Sequence, residues 1–290
     1  MWAATSVIAV SDNAPTPVRR LAFSTLGVPD LDATGVARLA ADNGYDAVEL
    51  RFLDGSVELP TLDSLSPEHI EQTRSIFDAA GVAVLGISSS VTLIKPGEAD
   101  HRAASLDLAR ANLRLAAGLG ATQLRVFGGT PDPADDRAAV LREAAALVNE
   151  IAELTAASGV TTLIETHDAF CTAKAMGELF EAGVGDAAQV LWDSGHSWRH
   201  GETLQETWDL LGPRVRHVHV KDATAADADG MDLVLTGEGI FDIPALLGVL
   251  DAGGYDGYLS FEWEWAWHRD LPSGEIAIPH FARYLRGLTE

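Results

Sequence analysis

The chain is poor in cysteine. Cys171 is the only one in 290 residues, so no intrachain disulfide can form and an oxidising compartment is not indicated. Basic residues are scarce too: Lys and Arg total 20 against 43 Asp and Glu, a formal net charge of -23. Such a surface repels phosphate backbones and anionic membranes, so neither nucleic acid nor a membrane is an expected partner. No apolar run reaches the ~18 residues that a membrane helix needs. No G-x-G-x-x-G turn follows the first apolar run, which weakens a dinucleotide-binding reading. What is present is 47% hydrophobic and 22% charged. That composition suits a globular, cytoplasmic protein with a sizeable core.

Residues 1–19 hold Asp12, Asn13, Pro15 and Pro17 without periodicity and read as a disordered N-terminal tail. The mildly apolar stretch 2–10 lacks the basic flank of an export signal. From residue 20 to 290 the chain reads as one domain. Short, β-branched runs bounded by turn residues predict strands at 21–26, 46–51, 82–87, 121–127, 160–165, 189–193, 215–219 and 258–262. Helical patterns follow them at about 29–43, 66–80, 99–118, 134–157, 172–181, 203–211, 243–252 and 275–288. Gly44, Gly81, Gly120, Gly159 and Gly254 recur just before strands. Ser88, Ser89 and Ser90 are expected to begin the loop after the third strand, and 222–241 is expected to be a loop. Eight βα units call for an all-parallel sheet, hence the α/β class and a single (β/α)8 TIM barrel; an open doubly wound sheet is the alternative.

Four successive strands deliver a ligand-type residue at their C-terminal ends. The run 160–164 ends on Glu165, 189–192 on Asp193, 215–218 on His219 and 258–261 on Glu262. In a barrel these ends face one mouth, so the four would converge. Three carboxylates and one imidazole suit one divalent metal ion. Mn2+ is the first expectation, with Mg2+, Co2+ and Zn2+ also compatible, and no thiolate biases the choice. The pleat puts His217 on the same face as His219, and Glu264 on the same face as Glu262. His217 reads as a packed histidine and Glu264 as a residue that supports a ligand or touches substrate. Asp222 either opens the next loop or joins the site.

With these residues the chain resembles the xylose isomerase-like TIM barrels, the sugar phosphate isomerases and epimerases that include ketose 3-epimerases and inosose dehydratases. The resemblance runs from Leu21 to about Leu285. It rests on 23–27 (FSTLG), 44–51 (GYDAVELR), 164–167 (IETH), 192–196 (WDSGH), 217–222 (HVHVKD) and 260–262 (SFE). It implies that Glu165, Asp193, His219 and Glu262 hold the metal, and that His196 contacts a substrate oxygen. Ketose epimerases carry an arginine six residues after the metal histidine. Here that position is Ala225, and Lys221-Asp222 instead resembles the dehydratase and isomerase branches.

A site of this kind supports proton transfer next to a carbonyl through a metal-stabilised enediolate. Glu165 and Glu262 are the natural catalytic pair, because they can flank the substrate and remove or return the proton. The expected function is a divalent-metal-dependent isomerase or epimerase acting on a sugar or related polyhydroxy carbonyl compound. The alternative is a lyase of the same family that dehydrates an inosose-like or shikimate-like substrate or cleaves an oxidised glycoside. An apurinic-endonuclease-like phosphodiesterase is disfavoured: the early strand ends offer Ser24, Arg51, Ser88 and Arg125, not further His or Asp ligands. A metal-free scaffold subunit is a fourth reading.

Arg51, Arg125 and Lys221 lie near strand ends and are candidates to grip a carboxylate, phosphate or enediolate oxygen. Arg51 and Arg125 could equally form a structural ion pair, for example with Glu49. His167 shares a face with Glu165 and is a further substrate-binding candidate. Trp263, Trp265 and Trp267 form either a packing cluster, an aromatic wall for a sugar ring or aglycone, or a subunit contact. Barrels of this class often pair, so a homo-oligomer stays open.

Overall fold

A computed structural model describes residues 19–227 and 230–288. The tail expected at the N-terminus falls, but for Arg19, outside the described residues. Strand and helix alternate as β1 (Arg20–Ser24), α1 (Ala33–Asp42), β2 (Ala47–Leu50), α2 (Ile70–Ala80), β3 (Ala83–Ile94), α3 (His101–Leu119), β4 (Gln123–Gly129) and α4 (Arg137–Ala156). They continue with β5 (Thr161–Glu165), α5 (Ala173–Glu181), β6 (Ala188–Asp193), α6 (Ser194–Arg199), α7 (Leu204–Leu211), β7 (Val215–Val220), β8 (Asp222–Ala226) and β9 (Met231–Val234). The last elements are α8 (Ile243–Ala252), β10 (Tyr258–Phe261) and α9 (Gly274–Gly287). Eight parallel strands close in the order β1-β10-β7-β6-β5-β4-β3-β2, and β8 and β9 stand apart as an antiparallel hairpin. The chain is a single (β/α)8 barrel.

The period-2 pattern sorts the side chains. One phase packs outward under the helices: Phe23, Val48, Val190, Trp192, Val218 and Phe261 are all fully buried there. Each such side chain contributes on the order of 1.5–3 kcal/mol by leaving water. The other phase points to the barrel axis and brings Glu49, Glu165, Asp193, His217, His219 and Glu262 inside. Two slips in register adjust this phase. Between β2 and β3, Val48 faces Val84 but Glu49 faces Gly86. Between β6 and β7, Val190 faces Val215 but Leu191 faces His217. Bulges of this kind re-aim side chains beside a site.

Four local expectations change. The first helix starts at Ala33 and not at Pro29, because the Asp32 carboxylate accepts from Gly35 N at 2.7 Å and caps it. Ser88, Ser89 and Ser90 belong to β3, which runs on through the β-branched residues Val91, Thr92 and Ile94 and re-pairs with β4. Serine reads as a turn residue in sequence, but Ser88 and Ser89 hydroxyls are satisfied inside the barrel by Glu49 Oε2 and Arg125 O. The extra helix α6 begins directly after Asp193, whose side chain accepts from His196 N at 3.0 Å. The expected 222–241 loop holds the β8–β9 hairpin. Gly81 and Gly120 end α2 and α3 in the left-handed region, at φ +69° and +74°.

Candidate metal centre

Glu165, Asp193, His219 and Glu262 converge as their strand-end positions predict. One ligand atom from each lies within 4.8 Å of all the others, and all four residues are buried. His219 Nδ1 is 3.6 Å from Glu165 Oε1, 3.8 Å from Asp193 Oδ2 and 3.3 Å from Glu262 Oε1. The carboxylates are anchored from behind. Arg125 Nη1 sits 3.3 Å from Glu165 Oε2. Lys221 Nζ sits 2.6 Å from Glu262 Oε2 and 2.9 Å from Asp193 Oδ2. Glu165 and Glu262 thus each turn one oxygen to the shared centre and the other to a buried cation.

These residues fit a divalent cation. Of the atoms that face the centre, Asp193 Oδ2 and His219 Nδ1 are buried without a regular hydrogen bond, which is costly unless another partner completes them. The buried carboxylates Glu49, Glu165, Asp193 and Glu262 outnumber the buried cations Arg125, Lys221 and protonated His219 in the barrel mouth. A divalent ion that displaces the His219 proton balances that excess. The donor set of oxygens and one ring nitrogen is compatible with Mn2+, Mg2+, Co2+ or Zn2+.

Glu49 is the residue that strand-end reading missed as part of this centre. It is buried on β2, with Oε1 2.8 Å from His219 Nε2 and 3.3 Å from His217 Nε2. Ser260 Oγ donates to the same oxygen, and Ser88 Oγ donates to Oε2 at 2.9 Å. With Nε2 turned to Glu49, His219 presents Nδ1 to the three carboxylates. A carboxylate behind a metal-binding histidine fixes the ring and its tautomer. Glu49, His217 and His219 are themselves close enough to form a ligand group. The lone pairs of Glu49 are already committed to two rings and two hydroxyls, so its geometry is that of an orienting group. The signal in sequence was an acid flanked by Val48 and Leu50 in an otherwise apolar strand.

Charge follows from this arrangement. Burial alone would raise Asp193; the rings of His196 and His219 and the Lys221 ammonium outweigh it and hold the carboxyl well below its usual range. Burial also raises Glu165 and Glu262, but Arg125 and His219 lower the first, and Lys221 and His219 lower the second. His219 moves the other way: burial lowers it, and Glu49 and Glu262 raise it well above 6.5. Lys221 is pushed up by Asp193, Glu262 and Glu264 against the cost of its burial.

A cavity of about 340 Å³ opens above the centre. It is lined by Arg51, Arg125, His167, His196, Trp267 and Met231 of the hairpin, among others. His196 Nδ1 donates to Thr166 O at 2.9 Å, which leaves Nε2 as the acceptor of the ring. Burial lowers its pKa despite Asp193, so the ring is neutral at neutral pH. His167 packs against Phe127 and His196, with Nδ1 2.9 Å from Asp168 Oδ1. Arg51 does not pair with Glu49: its Nη1 donates to Ser90 Oγ at 2.8 Å and Ser88 O at 3.3 Å. Lys221 is wholly enclosed, with Glu264 Oε1 as its third carboxylate at 2.7 Å. Asp222 anchors the hairpin loop, accepting from the backbone N–H groups of Ala223, Gly237, Gly239 and Phe241.

The tryptophan cluster divides. Trp263 is buried, donates to Pro272 O and stacks on Phe261. Trp265 lies under the Arg269 guanidinium. Trp267 is 55% exposed, meets Phe52 edge-on and lines the cavity.

Fold and site together define the class. Residues 37–285 match the xylose isomerase-like TIM barrel family, and the chain belongs to it. No curated protein matches the sequence. Solved structures are similar in fold at low identity. The probable 3-DHS dehydratase AsbF of Bacillus anthracis has a TM-score of 0.74 at 19% identity, covering 92% of this chain and 98% of its own. The IolI protein with a bound zinc atom has a TM-score of 0.75 at 16% identity, covering 93% and 96%. An L-ribulose 3-epimerase has a TM-score of 0.73 at 20% identity, covering 94% of both chains.

Proposed function

We propose that this protein is a divalent-metal-dependent isomerase or epimerase of a sugar or related polyhydroxy carbonyl compound. The observation that carries the reading is the paired arrangement of Glu165 and Glu262, each with one oxygen at the shared centre and one against a buried cation. Glu165, Asp193, His219 and Glu262 would hold the ion, Mn2+ first among the candidates. A bound divalent cation acts there as a Lewis acid on adjacent hydroxyl and carbonyl oxygens. Glu165 and Glu262 are both held ionised, so either can take the proton from the hydroxyl-bearing carbon beside the carbonyl. The carboxyl so formed returns it to the neighbouring carbon for isomerisation, and a proton passed through solvent to the other carboxylate is returned on the opposite face for epimerisation. Arg125 and Lys221 fix the two carboxylates in place, which keeps the proton-transfer geometry short and repeatable. His196 offers its neutral Nε2 to a substrate hydroxyl, and His167, Arg51 and Arg125 line the space for the rest of the molecule. Lys221 acts on substrate through the three carboxylates it holds, Asp193, Glu262 and Glu264.

A lyase reading rests on His167. Burial lowers its pKa, but its contact with Asp168 and the charge of Glu165 raise it overall. A protonated imidazole on the cavity wall can hand a proton to a departing hydroxyl. The acidic surface argues against nucleic acid as substrate. With one cysteine, which is buried and free, and no described helix long and apolar enough to cross a membrane, we take the protein to act in the cytoplasm. Incubating metal-loaded protein with ketoses, inososes and 3-keto-glycosides in D2O tests both readings. Solvent deuterium in a product of otherwise unchanged mass supports isomerase or epimerase. A product lighter by water, or a released aglycone, moves the assignment to lyase.

A further inference from the structure

Arg51 differs from Arg125 and Lys221, the two cations that hold the carboxylates of the centre. Arg125 is committed to Glu165 at 3.3 Å, and Lys221 to three carboxylates. Arg51 makes no ion pair within 4 Å among the described residues, although it is half-buried and lines the same cavity. Burial is the largest influence on it, followed by the charge of Arg125, and together they pull its pKa down to about 10. The guanidinium is nevertheless held in place. Nη1 is spent on Ser90 Oγ and Ser88 O, and Cζ lies 5.9 Å from the centroid of the Phe127 ring. Nε and Nη2 make no hydrogen bond to the described residues. That leaves the fork-shaped edge of the guanidinium, which matches the two oxygens of a carboxylate.

We infer that Arg51 is a carboxylate-recognition residue, and that the substrate is a polyhydroxy carbonyl compound bearing a carboxylate away from the oxygens that meet the centre. The inference rests on the reading of the cavity as a metal-dependent active site. It narrows the substrate class from neutral sugars to sugar acids and cyclic hydroxy-keto acids. A fixed cation that a monoanion completes discriminates strongly against an isosteric neutral group, because the guanidinium then stays buried and unpaired. Phe127 and Trp267 supply flat apolar walls beside it, which suit the carbon skeleton of such a substrate.

The test compares D-glucuronate with the isosteric, uncharged D-glucuronamide on protein loaded with Mn2+, by titration calorimetry. The expected result is that the acid binds about tenfold or more tightly than the amide. Arg51→Met is expected to bring the two affinities together, chiefly by loss of acid binding, while Mn2+ content holds. Arg51→Lys, which keeps the charge and loses the fork, is expected to retain part of the preference. Equal affinities in the wild type, a preference that survives in Arg51→Met, or no binding of either compound to Mn2+-loaded protein would overturn the inference. Failure of the metal-dependent reading is seen separately, as the absence of bound Mn2+ before any sugar is added.

Discussion

Glu49 and His219 meet inside the barrel, with Oε1 of the carboxylate 2.8 Å from Nε2 of the ring. They lie on β2 and β7, strands separated in the barrel by β1 and β10. Ser260, level with His219 on β10, closes the gap by donating to Glu49. The contact decides which ring nitrogen faces Glu165, Asp193 and Glu262. Glu49→Gln is therefore expected to weaken divalent-metal binding by about 10–100-fold. Metal titration monitored by calorimetry checks it, with the melting temperature recorded to separate loss of fold. Unchanged affinity would remove Glu49 from the centre.

Lys221 is enclosed among Asp193, Glu262 and Glu264. Lys221→Met leaves buried carboxylates uncompensated, which costs on the order of 3–5 kcal/mol in the metal-free protein. A divalent ion supplies part of the missing charge. The stabilisation by Mn2+ should consequently be larger in Lys221→Met than in the wild type, read as the shift in melting temperature on adding metal. An equal or smaller shift would contradict the charge balance assigned to the site.

The pH dependence of metal binding has a definite sign. In the metal-free protein the His219 pKa lies well above 6.5, after Glu49 and Glu262 overcome the effect of burial. Glu165, Asp193 and Glu262 are lowered and remain ionised at neutral pH. The proton that competes with metal at neutral pH is thus the one on His219 Nδ1. Metal affinity should rise as pH climbs from 6.5 toward the raised pKa and then level off. The same raised pKa makes protonated His219 a source of metal-free stability at and below its unfolded value, lost as pH passes the folded one. Calorimetry in two buffers of different ionisation enthalpy should show proton release near neutral pH, and none in alkali.

Asp222 gathers four backbone N–H groups from the hairpin and the loop after it. Asp222→Ala should loosen this segment locally, at a cost of about 1–3 kcal/mol. Faster amide hydrogen exchange at Gly237, Gly239 and Phe241 would show it, with metal content unchanged. Loss of metal from this variant would mean that Asp222 belongs to the centre.

The barrel was legible because the β-branched runs and the helical stripes each keep their own period over the whole chain. The convergence of Glu165, Asp193, His219 and Glu262 followed from the topology, since parallel strands in a closed barrel end at one mouth. Glu49 was hidden because it sits in the middle of β2, and its partners come from β3, β7 and β10, which no local pattern links. The β3 serines misled because their hydroxyls are satisfied by a buried carboxylate on β2 and a carbonyl on β4, neighbours in the barrel that lie far from them in sequence. Which of Arg51, Arg125 and Lys221 is already paired is likewise a property of tertiary packing. Spacing placed all three near strand ends and could not rank them. The three tryptophans look alike in sequence and take a core, a half-buried and a rim position, because the chain leaves the barrel between Trp263 and Trp267.

The most direct measurement is metal stoichiometry. Elemental analysis of the protein after reconstitution with Mn2+ and removal of excess ion should give one ion per chain. Glu165→Ala and His219→Ala proteins that keep the wild-type circular dichroism spectrum should give none. A wild-type protein that retains no ion, or variants that retain a full one, would contradict the metal centre on which the proposed chemistry depends.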